Sequence, residues 1–315
     1  MMRKENGSSE EGFILSGFSD RPLLEMAISV FVFFFYLFAL SGNSIIILLS
    51  GLDSHLHTPM YFFLANLSLM DLFYTTSNIP QMLLNVWGPE KTISFLGCML
   101  QFYFAVSLGA SESILLAIMA FDRFIAVCRP LYYPSIMHFI LYLRLVTLSW
   151  VGGFGGGLLL FLLIVRLPRC GHRWLDNFFC EMPGLIGIAC GDITSTKFAI
   201  YVLLVIFIIL PLTLILVSYG FITWAVLRIK STARWGKAFN TCVSHMTVVT
   251  LYYGPILFRY SQPGNSDSGD QGKFLMLFYT VVTPTLNPLI YTLRNKDVKG
   301  ALRRLVQKKH CSKQT

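Results

Sequence analysis

The stretch Met119–Pro130, MAFDRFIAVCRP, decides how this chain is read. It sets the pair Asp122-Arg123 directly after an apolar run, Leu115 to Phe121, at the end of a helix long enough to cross a bilayer. Charge in that position needs a reason, because an ionised side chain away from water is costly unless it is paired or reaches the headgroups. One reading makes the pair a marker of where the helix meets the headgroups. The other makes Arg123 a releasable latch on the inner face, and the rest of the chain separates the two.

The 315 residues are 55% hydrophobic and 13% charged, with a mean hydropathy of +0.62. A water-soluble domain of that composition would lack the polar surface to cover itself. The fold expected is therefore an all-α membrane protein. Seven stretches reach the roughly 20 apolar residues that a crossing needs: about 24–50, 58–83, 99–122, 140–165, 197–224, 238–260 and 273–293. They define a seven-helix bundle over 24–293, with a tail at 1–23 before it and a tail at 294–315 after it. Met1 to Arg21 holds no apolar core of its own, so the first helix is expected to serve as the targeting element.

An odd number of crossings puts the termini on opposite faces, and basic residues mark the cytoplasmic one. Arg123, Arg129, Arg144, Arg228, Lys230, Arg234, Lys237 and the eight Lys and Arg between Arg294 and Lys313 share a face with only Asp53, Asp122 and Asp297. On the other face acids and bases nearly balance. The N-terminus is thus expected outside and the C-terminus inside, and the net charge of +9 requires no nucleic acid partner. The cysteines divide the same way, with Cys98, Cys170, Cys180 and Cys190 in outer segments and Cys128, Cys242 and Cys311 at or near the inner face. Four cysteines in the oxidising compartment allow two bridges by three connectivities. Cys98 should join the long loop before the fifth helix, but the residues alone do not choose its partner there.

Asn6-Gly7-Ser8 is a glycosylation sequon on the outer tail, whereas Asn66-Leu67-Ser68 lies within a helix beyond the reach of the modifying machinery. Gly152, Gly153, Gly155, Gly156 and Gly157 put small residues on the fourth helix, where they let helices approach closely. Packing within the chain is the expected use, and homo-oligomerisation stays open. Pro59, Pro211, Pro284 and Pro288 fall in or at the ends of helices, where each frees a carbonyl. Val298, Leu302, Leu305 and Val306 recur at helical spacing among Lys299, Arg303 and Arg304, which predicts a short amphipathic helix on the inner leaflet, with Cys311 beyond it as a palmitoylation candidate.

Two acids, Asp71 and Glu112, lie within the membrane stretches. Counted from the inner helix ends, their depths are about 20 and 16 Å, so they can meet. Two carboxylates close together in low dielectric must share a proton or hold a cation. Ser68, Ser111, Asn43 and Asn287 offer further oxygens, which suits sodium; the alternative is a hydrogen-bonded cluster that fixes helix register. There is no HExxH, no GxSxG and no nucleophile with a nearby base, so no enzyme is expected. A transporter would more often show an inverted repeat or a continuous polar lining, and an adhesion protein would need a larger outer domain.

Asp122-Arg123-Phe124, Asn43, Asp71, Trp150, Pro211 with Tyr219, and Asn287-Pro288-x-x-Tyr291 together resemble the rhodopsin-like G-protein-coupled receptors. Four longer runs narrow the likeness: Leu56 to Leu64, Met119 to Cys128, Lys237 to His245 and Pro284 to Asn295 resemble the signature runs of vertebrate olfactory receptors. The opening Phe13 to Phe18 and the three-cysteine outer loop point to the tetrapod-type class. Phe124 and Phe121 stand where the family usually has Tyr, and Pro255 follows Tyr252-Tyr253-Gly254 near the usual bend of the sixth helix.

The resemblance implies a plasma-membrane receptor for a small volatile that activates a stimulatory heterotrimeric G protein and raises cyclic AMP. It implies that Cys98 pairs with Cys180 and Cys170 with Cys190, the alternative joining Cys98 to Cys190. It implies an odorant cavity at Ala105, Val106, Gly109, Ala110, Leu203, Leu204, Phe207, Tyr253, Ile256, Leu257, Tyr260, Leu277 and Thr280. None of these is charged, so carboxylate and amine ligands are expected to bind poorly, with Arg259 and Lys273 near the rim as the nearest exceptions. It also implies an inner switch of Asp122, Arg123, Tyr219, Lys237, His245, Asn287, Pro288 and Tyr291.

Overall fold

A computed structural model describes residues 12–228, 232–261, 269–294 and 298–304, apart from the side chains of 232–241, 260–261 and 293–294. Among the described residues seven long helices form the bundle: α1 (Pro22–Leu52), α2 (Pro59–Trp87), α3 (Phe95–Cys128), α4 (Phe139–Val165), α5 (Thr194–Leu227), α6 (Thr232–Ser261) and α7, built from Asp270–Leu277, Phe278–Val282 and Thr283–Arg294. A short α8 follows at 298–304. α1, α3, α4, α5 and α7 are each long and apolar enough to cross a membrane. α2 and α6 have the length, 29 and 30 residues. On α2 the polar positions Ser68, Asp71, Thr75 and Asn78 turn inward and are buried, which leaves its outer face largely apolar, with Thr76 exposed.

Every helix runs past the stretch that hydropathy alone marks, because backbone hydrogen bonding continues after the side chains become polar. Pro22 and Pro59 open α1 and α2 in the first turn, where a missing N–H costs nothing. Ser94 caps α3 by accepting from Gly97 N at 3.1 Å, and His138 caps α4 by accepting from Leu141 N at 3.2 Å. The extension of α3 to Cys128 matters most. Asp122-Arg123 lies inside its last two turns and not at its end.

α3 runs through the bundle against α2, α4, α5 and α6. Its approach to α4 depends on glycine: a Cβ at Gly153 would sit 2.0 Å from Ser111 Oγ, and one at Gly157 2.0 Å from Ser107 Oγ. Gly152, Gly153, Gly156 and Gly157 thus serve packing inside the chain, while a Cβ at Gly155 would meet nothing within 4 Å. An inner core joins Leu64, Leu67, Leu115, Met119, Ile215 and Val248. Phe31, Phe38, Leu48, Leu148, Phe198, Leu216 and Trp224 face outward, as a lipid-facing surface requires.

The outer end adds an element that an all-α expectation lacks. β1 (Phe13–Leu15) lies between β2 (Thr92–Ile93), antiparallel, and β3 (Trp174–Leu175), parallel. Alternation buries Phe13 and Leu15 while Ile14 faces the other side. The chain then turns at Gly17, whose φ of +52° and contact with the Phe178 ring exclude a side chain. Phe18 is fully buried against Phe178 and Phe274. Lys273 holds this strap down: its ammonium donates to Gly17 O at 2.7 Å and pairs with Asp176 at 2.6 Å.

At the inner end α8 turns Val298 and Ala301 inward and leaves Leu302 outward. The inward face is thus set by i, i+3 spacing and differs from the expected Val298-Leu302 line; Leu305, Val306 and Cys311 lie outside the described residues. Arg304 Nε and Nη2 donate to Asp53 Oδ2 at 2.9 and 2.7 Å, which ties α8 to the end of α1.

Candidate functional site

A cavity of about 180 Å³ opens within the outer half of the bundle. Ala105, Val106, Gly109 and Ala110 of α3, Leu203, Leu204 and Phe207 of α5, Ile256 of α6 and Thr280 of α7 line it, as do Tyr74, Asn78, Glu112, Glu181, Tyr252, Arg259 and Tyr279. Its roof is the second outer loop. Cys180 in that loop is bonded to Cys98 at the top of α3, and Cys170 is bonded to Cys190 within the loop. Glu181, next to the first bridge, accepts from the Tyr279 hydroxyl at 2.8 Å and lies 3.6 Å from Arg259 Nη2. The roof is therefore an ion pair joining loop, α6 and α7.

Below the cavity, Asp71 of α2, Glu112 of α3 and Asn287 of α7 converge. Asn287 Nδ2 donates to Asp71 Oδ2 at 3.0 Å, and all three are buried. Among the described residues Asn43 Oδ1, Asp71 Oδ1, Glu112 Oε1 and Asn287 Oδ1 have no hydrogen-bond partner. Buried acceptors without donors are costly, and an oxygen-only set of this kind fits a hard cation. Ser111 does not join them. Its hydroxyl returns to Ser107 O at 2.8 Å and faces Gly153 of α4, roughly 100° around the helix from Glu112.

Three prolines explain how the helices are stitched at this level. A proline has no N–H for the carbonyl four residues back. Pro211 leaves Phe207 O, where a π turn over Val205–Ile209 interrupts α5, and Ser113 of α3 donates to it at 2.6 Å. Pro255 leaves Leu251 O, which accepts from Thr283 of α7 at 3.2 Å. Pro288 leaves Pro284 O, which accepts from Asn43 of α1 at 3.1 Å. Each bend thereby carries a bond to a different helix. Ser113 also meets the Tyr253 hydroxyl at 2.6 Å, while Tyr252 donates to Gly109 O at 2.5 Å, so α6 is held to α3 across the cavity floor.

On the inner face Arg123 Nε donates to Asp122 Oδ2 at 2.9 Å, with Nη2 on the same oxygen. Asp122 Oδ1 accepts from the Tyr133 hydroxyl at 2.8 Å. Asp122 is fully buried and the Arg123 side chain 15% exposed. Tyr219 of α5 bonds His245 Nδ1 of α6 at 2.9 Å, their rings stacked 15° apart. Tyr291 of α7 is buried, and its hydroxyl has no hydrogen-bond partner among the described residues.

The olfactory receptor family model matches residues 32–309, nearly the whole of this arrangement. The chain belongs to the olfactory receptor family. It is 54% identical to human olfactory receptor 2W1 over 311 residues, covering 99% of this chain and 97% of that one. It is 55% identical to human olfactory receptor 2G6, covering 97% and 96% of the two chains, and 52% identical to mouse olfactory receptor 2C1, covering 98% of each. It is accordingly a multi-pass plasma-membrane odorant receptor and not an enzyme.

Within this olfactory receptor the cavity differs from the sequence expectation in definite ways. Tyr253 lies outside the lining because its hydroxyl is turned to Ser113; its neighbour Tyr252 lines the cavity instead. Leu257 is 37% exposed on the outward face of α6, and Leu277 packs with Val32, Ile79 and Phe178. The lining is also charged, through Glu112, Glu181 and Arg259, which removes the stated basis for excluding charged ligands. Lys273 is satisfied by the strap. The side chains of Tyr260 and Lys237, and Asn6 altogether, lie outside the described residues.

Several contributors escaped sequence reasoning. Tyr133 has no motif to mark it, and Glu181 could be found only through its place beside Cys180. Trp150 Nε1 donates to Asn66 Oδ1 at 3.1 Å, so the second sequon is an interhelical contact.

Proposed function

We propose that this odorant receptor binds a small, mainly apolar volatile in the cavity under the second outer loop and activates a stimulatory heterotrimeric G protein, raising cyclic AMP. The observation that carries the reading is α3 itself: one helix lines the cavity with Ala105, Val106 and Gly109, reaches the acidic pocket with Glu112, and holds Arg123 on the inner face. A cavity of about 180 Å³ is small beside the roughly 300–1,000 Å³ of drug-sized sites, which suits a volatile.

A ligand shifts the receptor only by binding one conformation better than the other. Contact with Phe207, Tyr252 or Ile256 reaches the hydrogen bonds that fasten α6 to α3, and loosening them lets the inner half of α6 move away. Arg123 then leaves Asp122 for the G protein, in a crevice that Tyr219, Lys237, His245 and Tyr291 border, with Asn287-Pro288 as the hinge of α7. Asp71, Glu112, Asn43 and Asn287 are the residues that would hold a sodium ion, whose charge would stabilise the closed arrangement.

A reporter assay for cyclic AMP against a panel of a few hundred volatiles, beside an ion-flux assay in the same cells, tests this reading. The expected result is a concentration-dependent cyclic AMP response to at least one small volatile with no receptor-dependent current. A ligand-gated current without cyclic AMP would contradict it.

A further inference from the structure

Glu112 belongs to two features at once. It lines the floor of the odorant cavity, and it is one wall of the buried acidic pocket between α2, α3 and α7. Of that acidic group only Glu112 lines the cavity; Asp71, Asn43 and Asn287 lie behind it.

The acidic group is short of donors. Glu112 is 8% exposed and its Oε1 has no partner, and neither has Asp71 Oδ1, Asn43 Oδ1 or Asn287 Oδ1. Asn43 commits its amide N–H groups to Ala39 O and Pro284 O at 3.0 and 3.1 Å, and Asn287 gives one to Asp71. The cation that lines the cavity, Arg259, is at the opposite end beside Glu181. Tyr252 meets the Gly109 carbonyl; Arg259 is about two turns outward of Tyr252, and Glu112 is about one turn inward of Gly109, a separation of about 15 Å along the helix axes.

We propose that Glu112 receives the ammonium head of a small primary amine at the cavity floor, in competition with sodium. The proposal rests on the reading of this cavity as the odorant site and gives it a ligand class. An ammonium supplies three N–H donors where a hydroxyl supplies one, and the unpaired Glu112 Oε1 at the cavity floor is the acceptor that one of them would fill. Its charge is favoured beside a carboxyl group held away from water, with the Asp71 carboxyl behind it. The alkyl chain would lie against Val106, Phe207 and Ile256.

The test uses purified full-length receptor in detergent and reads thermal unfolding in chloride buffers of equal ionic strength. n-Butylammonium chloride should raise the midpoint by about 2 °C over N-methylglucamine chloride at ten times its dissociation constant. n-Butanol at the same concentration should not. Rising sodium should erase the butylammonium increment in the wild-type receptor, and Glu112→Gln should remove the response to both cations. An absent increment, an increment indifferent to sodium, or one retained in Glu112→Gln would overturn the proposal. Because no signalling is measured, failure here leaves the odorant-receptor reading standing, and a receptor that binds butylammonium but answers no volatile would count against that reading alone.

Discussion

At the outer end of the bundle two disulfides, a three-stranded sheet and the buried Lys273 tie helices to loops and to the N-terminal strap. At the inner end the described links between helices are hydrogen bonds, ion pairs and apolar contacts, and Cys128 and Cys242 are free thiols. A hydrogen bond contributes about 1 kcal/mol net. In the chain-entropy account a bridge closing 82 residues contributes about 4–5 kcal/mol. Under the proposed activation the motion would fall to the inner half: a ligand in the outer cavity would meet a framed mouth and act on α6 through hydrogen bonds that break more easily than the bridges.

The largest expected effect is at the inner end. Arg123→Ala should abolish ligand-stimulated cyclic AMP while surface receptor, counted by antibody on intact cells, stays measurable. Retained signalling would refute the latch.

Next comes the outer frame. Cys98→Ser should cost about 4–5 kcal/mol and remove most folded receptor from the surface. Cys170→Ser, whose bridge spans only 20 residues, should cost about 3 kcal/mol and leave more. Equal losses, read by flow cytometry, would mean that loop length does not set their worth.

Between the two ends, Ser113→Ala leaves Phe207 O unpaired and removes the hydroxyl contact to Tyr253, which keeps only a 3.5 Å bond to the residue's backbone carbonyl. A destabilisation of about 1–3 kcal/mol follows, seen as a lower melting temperature. Tyr133→Phe is smaller. Asp122 loses one hydrogen bond, and basal cyclic AMP should rise by up to about tenfold, the equivalent of about 1.4 kcal/mol.

What the chain discloses in advance follows the same division. Seven helices, their orientation and the Asp122-Arg123 pair are legible because hydropathy, basic residues and local motifs act along the sequence. The helix extensions, the strap and the cavity floor are not, because they depend on which side chains meet across helices. Pro211, Pro255 and Pro288 show this well: each announces a freed carbonyl, but nothing local says that Ser113, Thr283 and Asn43 fill them. Tyr252 takes the cavity position expected of Tyr253 for a related reason. Neighbours on a helix point about 100° apart, so a register error of one residue exchanges a cavity hydroxyl for a stitched one.

The smallest effect concerns α8. Arg304 holds the Asp53 carboxyl down at about 2. A depressed folded value means that this contribution is fully present above the unfolded value of about 4 and is lost as pH falls towards 2. The difference in melting temperature between wild type and Asp53→Asn should therefore stay constant from about pH 5 to pH 8. A difference that varies across that range would show that another group controls the docking of α8.

The comparison of the two ends is tested most directly by measuring the α3 to α6 distance at both. Spin labels on the native Cys128 and Cys242, with Cys311 replaced, report the inner end; labels at Leu96→Cys and Phe258→Cys, both exposed positions, report the outer end. With an activating volatile bound, the inner distance should lengthen while the outer one stays within its resting distribution. An outer pair that separates as much as the inner pair, or an inner pair that does not move, would contradict the account.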